Sequence, residues 1–346
     1  MGNLATCESS SDCKSVDLLL LSKCVPLRLQ KFYAPNARDT IIRKMASNVT
    51  EYRLEDTYYF QLAHYVNLIG LVVSTIGIIL NFCSYHTAKH LKHKNSSVTL
   101  IRCLALWDSI AIFQDGVVNL GGNFFNYNAV NFNRFNCKVF FYHSWGSTFN
   151  AIYHMNALAV DRCLAIAAPV WYKQNSTPSL AYKISFTVTV VNYSLTIGNL
   201  FIFDIVDGVC VFNVGPEFVF WYLRIMLLVF MGGVPFLVIC ISNVFFIYKL
   251  RTRWKDNAER RLTIMLVTSS MAFMVLLTAC DIFLIIMFTF NPVTLDDTAY
   301  ALFMEKTAEI FAIANSSMNF IFYFVSGPMF REAFFSLIKS IFVRKE

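Results

Sequence analysis

The stretch Leu62–Ala88, LAHYVNLIGLVVSTIGIILNFCSYHTA, runs for 27 residues without one Asp, Glu, Lys or Arg. At 1.5 Å of rise per residue, a helix of that length reaches about 40 Å, more than the ~30 Å hydrocarbon core of a bilayer. The rest of the chain agrees with this run. Charged residues make up 15% of the 346 and the apolar class 56%, with 34 Phe. An average soluble domain carries roughly 25% charge. The composition therefore excludes a disordered chain, a collagen and a small disulfide scaffold, and it argues against an ordinary soluble enzyme.

Six more apolar runs follow, at Ser97–Gly122, Asn136–Cys163, Ala181–Phe203, Phe218–Leu250, Glu259–Phe290 and Tyr300–Val325. The expected fold is an all-α, seven-transmembrane helix bundle. The fourth run reads as the weakest, because Asn192 and Asn199 interrupt it, and the third is polar in places. Beyond the seventh, Gly327-Pro328 break the helix. Phe330, Phe334, Phe335, Ile338, Ile341 and Phe342 then recur at helical spacing, which predicts an amphipathic eighth helix lying on the membrane surface. The chain so divides into an N-terminal segment 1–61, a bundle 62–325, and an amphipathic helix with a short tail, 326–346.

Lys and Arg in the connecting segments sort by side. Sixteen fall on the side of Lys89, Lys173 and the C-terminus, and only Arg134, Lys138 and Lys306 on the other. The basic side is expected to be cytoplasmic. That makes the chain a multi-pass plasma-membrane protein with its N-terminus extracellular. The net charge of +7 is then a topology signal, with the lipid bilayer as partner and no nucleic acid implied. Asn48-Val49-Thr50 becomes an outer glycosylation acceptor, whereas Asn95-Ser96-Ser97 and Asn175-Ser176-Thr177 fall on the wrong side for that modification. Cys7, Cys13 and Cys24 allow three single pairings with one thiol left over, and no CxxC pair suggests a metal.

A charge near the bilayer centre costs roughly 2.5–3.5 kcal/mol, so each asks for a reason. Asp108 and Asp115 lie seven residues apart, on one face of a regular second helix. Asp161-Arg162 close the third run, Arg224 lies near the outer end of the fifth, Asp281 is in the sixth and Glu309 in the seventh. Asn81, Asp108, Asn315 and Asn319 read chiefly as a core polar network. Asp115, Asp281 and Glu309 read as lining an outer pocket. Three acids against Arg224 leave that half negative and favour a cationic ligand group. No HExxH, GxSxG or Walker pattern is present and the six histidines do not cluster in the bundle, so an enzyme is not expected. A transporter would need a polar path across the bundle, and no inverted repeat is visible.

Placed on seven spans, these residues resemble rhodopsin-like (class A) G-protein-coupled receptors. Gly77-Ile-Ile-Leu-Asn81 ends the first span and Leu104-Ala105-Leu106-Trp107-Asp108 lies in the second. Cys137 opens the third and Asp161-Arg162-Cys163 closes it, with Pro169 in the loop after it. Pro235 sits in the fifth, Asn315-Ser316-Ser317-Met318-Asn319-Phe320-Ile321-Phe322-Tyr323 in the seventh, and Phe330-Arg331 at the start of the eighth helix. The resemblance implies a disulfide between Cys137 and Cys210. It also implies a switch at Asp161, Arg162, Asn319 and Tyr323, with Glu259 as a helper, that releases Arg162 to a heterotrimeric G protein. Departures are Cys163, Leu277 and Ala279 in place of the family's Tyr, Trp and Pro, Phe320 in place of the seventh-span Pro, and Asn243 in place of a fifth-span Tyr. Ala151 replaces a common Ser and weakens a family-type sodium site near Asp108, and no other cofactor is implied.

Amine receptors carry an Asp where this chain has Ser144, and opsins a Lys where it has Ile313. A peptide remains the favoured ligand class. The resemblance extends to invertebrate neuropeptide receptors of the FMRFamide-like kind, with Asp115, Ser144, Arg224, Leu277, Asp281 and Glu309 in the pocket. A chemosensory receptor for a small molecule is the alternative.

Overall fold

The computed structural model describes residues 56–343, apart from 92–94, 126, 128, 207, 214–217, 219–220, 223, 253–256 and 290–293. Cys7, Cys13, Cys24 and Asn48 lie outside the described residues. The first span, Tyr58–His90, begins at Thr57, whose hydroxyl accepts from the Phe60 amide. Its exposed side chains, among them Tyr65, Ile69, Val72, Ile76, Ile79 and Phe82, form one stripe. Its buried ones, Asn67, Gly70, Ser74, Gly77, Asn81 and Ser84, form the opposite stripe. This inverts the pattern of a soluble helix, because lipid solvates the large apolar side and leaves small and polar residues to pack helix against helix. Gly77 shows how close that packing is: a Cβ there would lie 2.8 Å from Ser317 Cβ of the seventh span.

The second span, Ser96–Phe124, starts at an Asn95 cap and turns π-helical over Phe113–Leu120. The wider turn rotates the helix beyond it. Asp108 bonds to Asn319 of the seventh helix, while Asp115 bonds to Ser144 of the third and lies close enough to Glu309 of the seventh to act on its charge. The third span, Arg134–Ala167, leads through a short helix, Pro169–Asn175, to the fourth, Pro178–Ile202. An antiparallel hairpin comes next, β1 (Phe203–Val206) paired with β2 (Val209–Phe212), with Gly208 at φ +77° in its tight turn. The fifth span is Ile225–Lys249, the sixth Asn257–Thr289, and the seventh Leu295–Ser317 continued by Asn319–Ser326. Pro328–Val343 forms the eighth helix.

Five of these helices are long and apolar enough to cross a membrane, and the bent seventh makes six. The one that falls short is the third, not the fourth as its asparagines suggested. The cause is position. Seventeen residues of the third span are buried, among them Ser144, Ser147, Asn150, His154 and Asn156, so protein surrounds it and its composition need not suit lipid. Asn192 and Asn199 of the fourth span face it. Asn192 donates to Asn150 Oδ1 at 3.4 Å, Asn199 to the Phe141 carbonyl at 3.3 Å, and His154 Nε2 meets Ser185 Oγ at 2.7 Å. They fasten two helices rather than interrupt one.

The seventh span bends by 40° at Met318 although Phe320 occupies the expected proline position. Phe320 instead packs on Phe324, Phe330 and Phe334, and Arg331 donates to the carbonyls of Phe324 (3.0 Å) and Val325 (2.7 Å), closing the end of the span.

Candidate functional site

Three polar layers lie along the bundle. At the basic end, Asp161 and Arg162 are both buried, and the guanidinium donates to the carboxylate at 3.1 Å. The carboxylate also accepts from Ser96 Oγ at 2.5 Å, from Ser97 Oγ, and from Tyr172 OH at 2.9 Å. Arg162 donates to the same Tyr172 hydroxyl, and Ser176 Oγ lies 2.7 Å from Ser96 Oγ. The structure thus brings together Asp161 and Arg162, which the resemblance names as parts of a switch. The hydroxyl ring around it cannot be read from the sequence, where Ser96, Ser97 and Ser176 stand out only as parts of glycosylation patterns. The side chain of Glu259 lies outside the described residues.

In the middle, the Asn319 amide donates to Asp108 Oδ2 at 2.8 Å and accepts from Ser269 Oγ of the sixth span at 3.0 Å. Asn81 donates to the Ser316 carbonyl at 2.9 Å, tying the first span to the seventh. Asn315 is buried in the same layer, and the buried Tyr323 hydroxyl has no hydrogen-bond partner among the described residues. The structure thus joins Asp108 to Asn319 directly and leaves Asn315 and Tyr323 beside the link. Asn243, standing where a Tyr was expected, accepts from Ser270 at 2.8 Å and couples the fifth span to the sixth.

At the other end, Cys137 and Cys210 form a disulfide that pins β2 to the start of the third span. Arg134 Nε lies 2.5 Å from Asp204 Oδ1 and holds that carboxyl below the usual carboxylate range. Below the hairpin, Asp115 accepts from Ser144 at 2.5 Å and from Thr148 at 3.1 Å. Glu309 accepts from Lys306 at 3.1 Å and from Asn119 at 3.1 Å. Lys306, placed among the loop cations by the sequence, is 5% exposed and also lies 3.7 Å from Glu305. Because Glu305 is buried beside it, Lys306 leaves the excess of acids over cations in the outer half where three acids against one arginine put it. Of the outer acids, Asp204 and Glu305 pair with cations and Asp297 caps its own helix with Thr294, while Asp207 and Glu217 lie outside the described residues. Leu277 is buried in the core, and Arg224 is half-buried.

Asp281 differs from these. It is half-buried on the sixth span and faces the fifth, where a Cβ added to Gly232 would meet its Cγ at 3.1 Å. No hydrogen bond or ion pair engages its carboxylate among the described residues.

A paired acid and arginine at one end, a buried carboxylate link in the middle and a disulfide-held hairpin at the other thus lie along a bundle of membrane-length helices. The family model described as 7 transmembrane receptor (rhodopsin family) matches residues 86–323, more than two thirds of the chain, and the chain belongs to that family. No curated protein matches it. Membership makes it a multi-pass membrane protein of a family whose members answer extracellular ligands, signal through G proteins and are in general not enzymes.

Proposed function

We propose that the chain is a plasma-membrane receptor for an extracellular neuropeptide, of the FMRFamide-like kind, with its N-terminus outside, Asn48 glycosylated and its basic end facing a heterotrimeric G protein. Asp281 carries the ligand reading. A half-buried carboxylate without a partner is costly and is relieved by a cation supplied from outside the chain. An arginine near the amidated end of a peptide fits that need. Screening amidated peptides against the expressed receptor tests the class, and Asp281→Asn should lower the potency of an active peptide by about 100-fold. Activation by small neutral molecules alone, with peptides silent, would favour the chemosensory reading.

The latch at the basic end supports a resting state in which Asp161 holds Arg162. Val170 and Trp171, both exposed beside Tyr172, offer apolar surface to a transducer. Removing two hydroxyl donors with Ser97→Ala and Tyr172→Phe should raise ligand-independent signalling about tenfold. Unchanged basal signalling at equal surface expression would rule the latch out.

No resident cofactor enters this reading. Asn319 presents an N–H donor to Asp108, and the buried Ala151 brings no oxygen, so the donor set suits a hydrogen-bonded carboxylate better than a sodium ion.

A further inference from the structure

Inside the spans, Arg162 is paired with Asp161, and Lys306 with Glu305 and Glu309. Arg102 has no such partner. It stands in the second span six residues past Ser96, about 9 Å along the helix. No carboxylate pairs with it among the described residues. Its Nη2 donates to the Tyr85 hydroxyl of the first span at 3.0 Å, and its guanidinium carbon lies 4.8 Å from the centre of that ring. Its Nε is buried and finds no acceptor among the described residues. Tyr182 of the fourth span and the adjacent Cys103 are the other side chains close enough to act on it electrostatically.

The surroundings face lipid. Leu106, one turn along the same face, is 52% exposed, and Phe82 of the first span is 63% exposed. Lys89, in the last turn of the first span, and Lys183, next to Tyr182, are exposed at the same end. A cation in this position keeps unused donors where water is scarce, and the sequence places no acid there to satisfy them. The planar guanidinium fork matches a phosphate in shape and charge, and tyrosine hydroxyls add further donors.

We propose that Arg102, with Tyr85 and Tyr182, binds the phosphate of an anionic phospholipid in the leaflet at the basic end. Lys89 and Lys183 would raise the local positive potential that draws such a headgroup in. A free phosphate carries the same charge, but the exposed Leu106 and Phe82 beside the site give acyl chains a surface that a free anion leaves bare. The proposal rests on the placement of the basic end at the cytoplasmic leaflet and is independent of what ligand the outer pocket takes.

The full chain, purified and delipidated, would be placed in phosphatidylcholine nanodiscs with or without phosphatidylserine. Native mass spectrometry would count lipids retained after ejection. The wild type should retain phosphatidylserine, and Arg102→Gln should retain about tenfold less, the effect of one lost charge-assisted contact. Phosphatidylserine should raise the melting temperature of the wild type and leave that of Arg102→Gln unmoved, since a ligand stabilises only the state that binds it. Arg102→Lys, which keeps the charge and loses the fork, should fall between the two and carries the test if Arg102→Gln does not fold. Equal retention by the wild type and either folded variant would overturn the proposal. So would stabilisation of the wild type by inorganic phosphate as large as that by the lipid. Because no signalling is measured, failure here is separable from failure of the peptide reading.

Discussion

Arg162→Ala should abolish coupling to G protein while leaving the receptor folded and at the cell surface. The two halves of that expectation come from different contacts. The buried guanidinium makes charge-assisted hydrogen bonds to Asp161 and Tyr172, and each such bond is worth about 1.5–3 kcal/mol. A group able to make those bonds at rest can make equivalent ones to a partner's backbone once released, and alanine can make none. Coupling efficiency should fall by at least about 100-fold. The fold survives because Asp161 is not orphaned by the change: Ser96, Ser97 and Tyr172 still donate to it. The reverse substitution, Asp161→Ala, would behave differently. It leaves a buried arginine without its acid, a loss of about 3–5 kcal/mol, and should lower expression while raising basal activity. Measuring surface level and agonist-stimulated nucleotide exchange on both variants separates the roles. An Arg162→Ala receptor that couples normally would remove Arg162 from the switch.

The fold was legible because lipid imposes a simple rule. Twenty or more residues without charge can be counted, and the stripe of Ile69, Val72, Ile76 and Ile79 facing outward is what that count encodes. The rule fails where protein replaces lipid as solvent, which is why the third span reads as poor membrane helix and why Asn192 and Asn199 looked like faults. Polar contacts were legible where a residue is unusual in kind, as with Asp108, Asp161 and Arg162. They were illegible where common residues act together. Ser96, Ser97, Tyr172, Ser176 and Ser269 carry no signal one at a time, and only the fold brings their hydroxyls together with the polar groups they bond. Register was also hidden. Neither the π-helical turn at Phe113–Leu120 nor the bonds from Ser144 and Thr148 to Asp115 are announced by the spacing of two aspartates. Lys306 lies six residues inside the seventh run, yet sorting cations by side counts it with the outer loops, and the structure buries it against Glu305 and Glu309.

Cys137→Ser should cost the receptor most of its agonist affinity. The disulfide closes a loop across 73 residues of sequence, and in the chain-entropy account a loop of that size contributes about 4 kcal/mol to the folded state. Where that free energy acts matters more than its total. The seven spans pack on one another along their length, whereas the β1–β2 hairpin is attached at one end of the bundle, where its contacts beyond the disulfide include a ring stack, a hydrogen bond and an ion pair. Phe203 stacks on Phe141 with ring centres 3.9 Å apart, Asn131 accepts from the Cys210 amide at 2.9 Å, and Arg134 pairs with Asp204. The ion pair contributes little, because the arginine is 71% exposed and solvent screens it. Without the covalent tie the hairpin should lift from the mouth of the bundle, and agonist affinity should fall by at least about tenfold at unchanged helical content. Arg134→Ala should change affinity by less than about fivefold. The double variant Cys137→Ser/Cys210→Ser should match the single one, since the bond is already lost. Reducing agent applied to the wild type should reproduce the loss, and a Cys137→Ser receptor with undiminished affinity would show that the hairpin holds its place by packing alone.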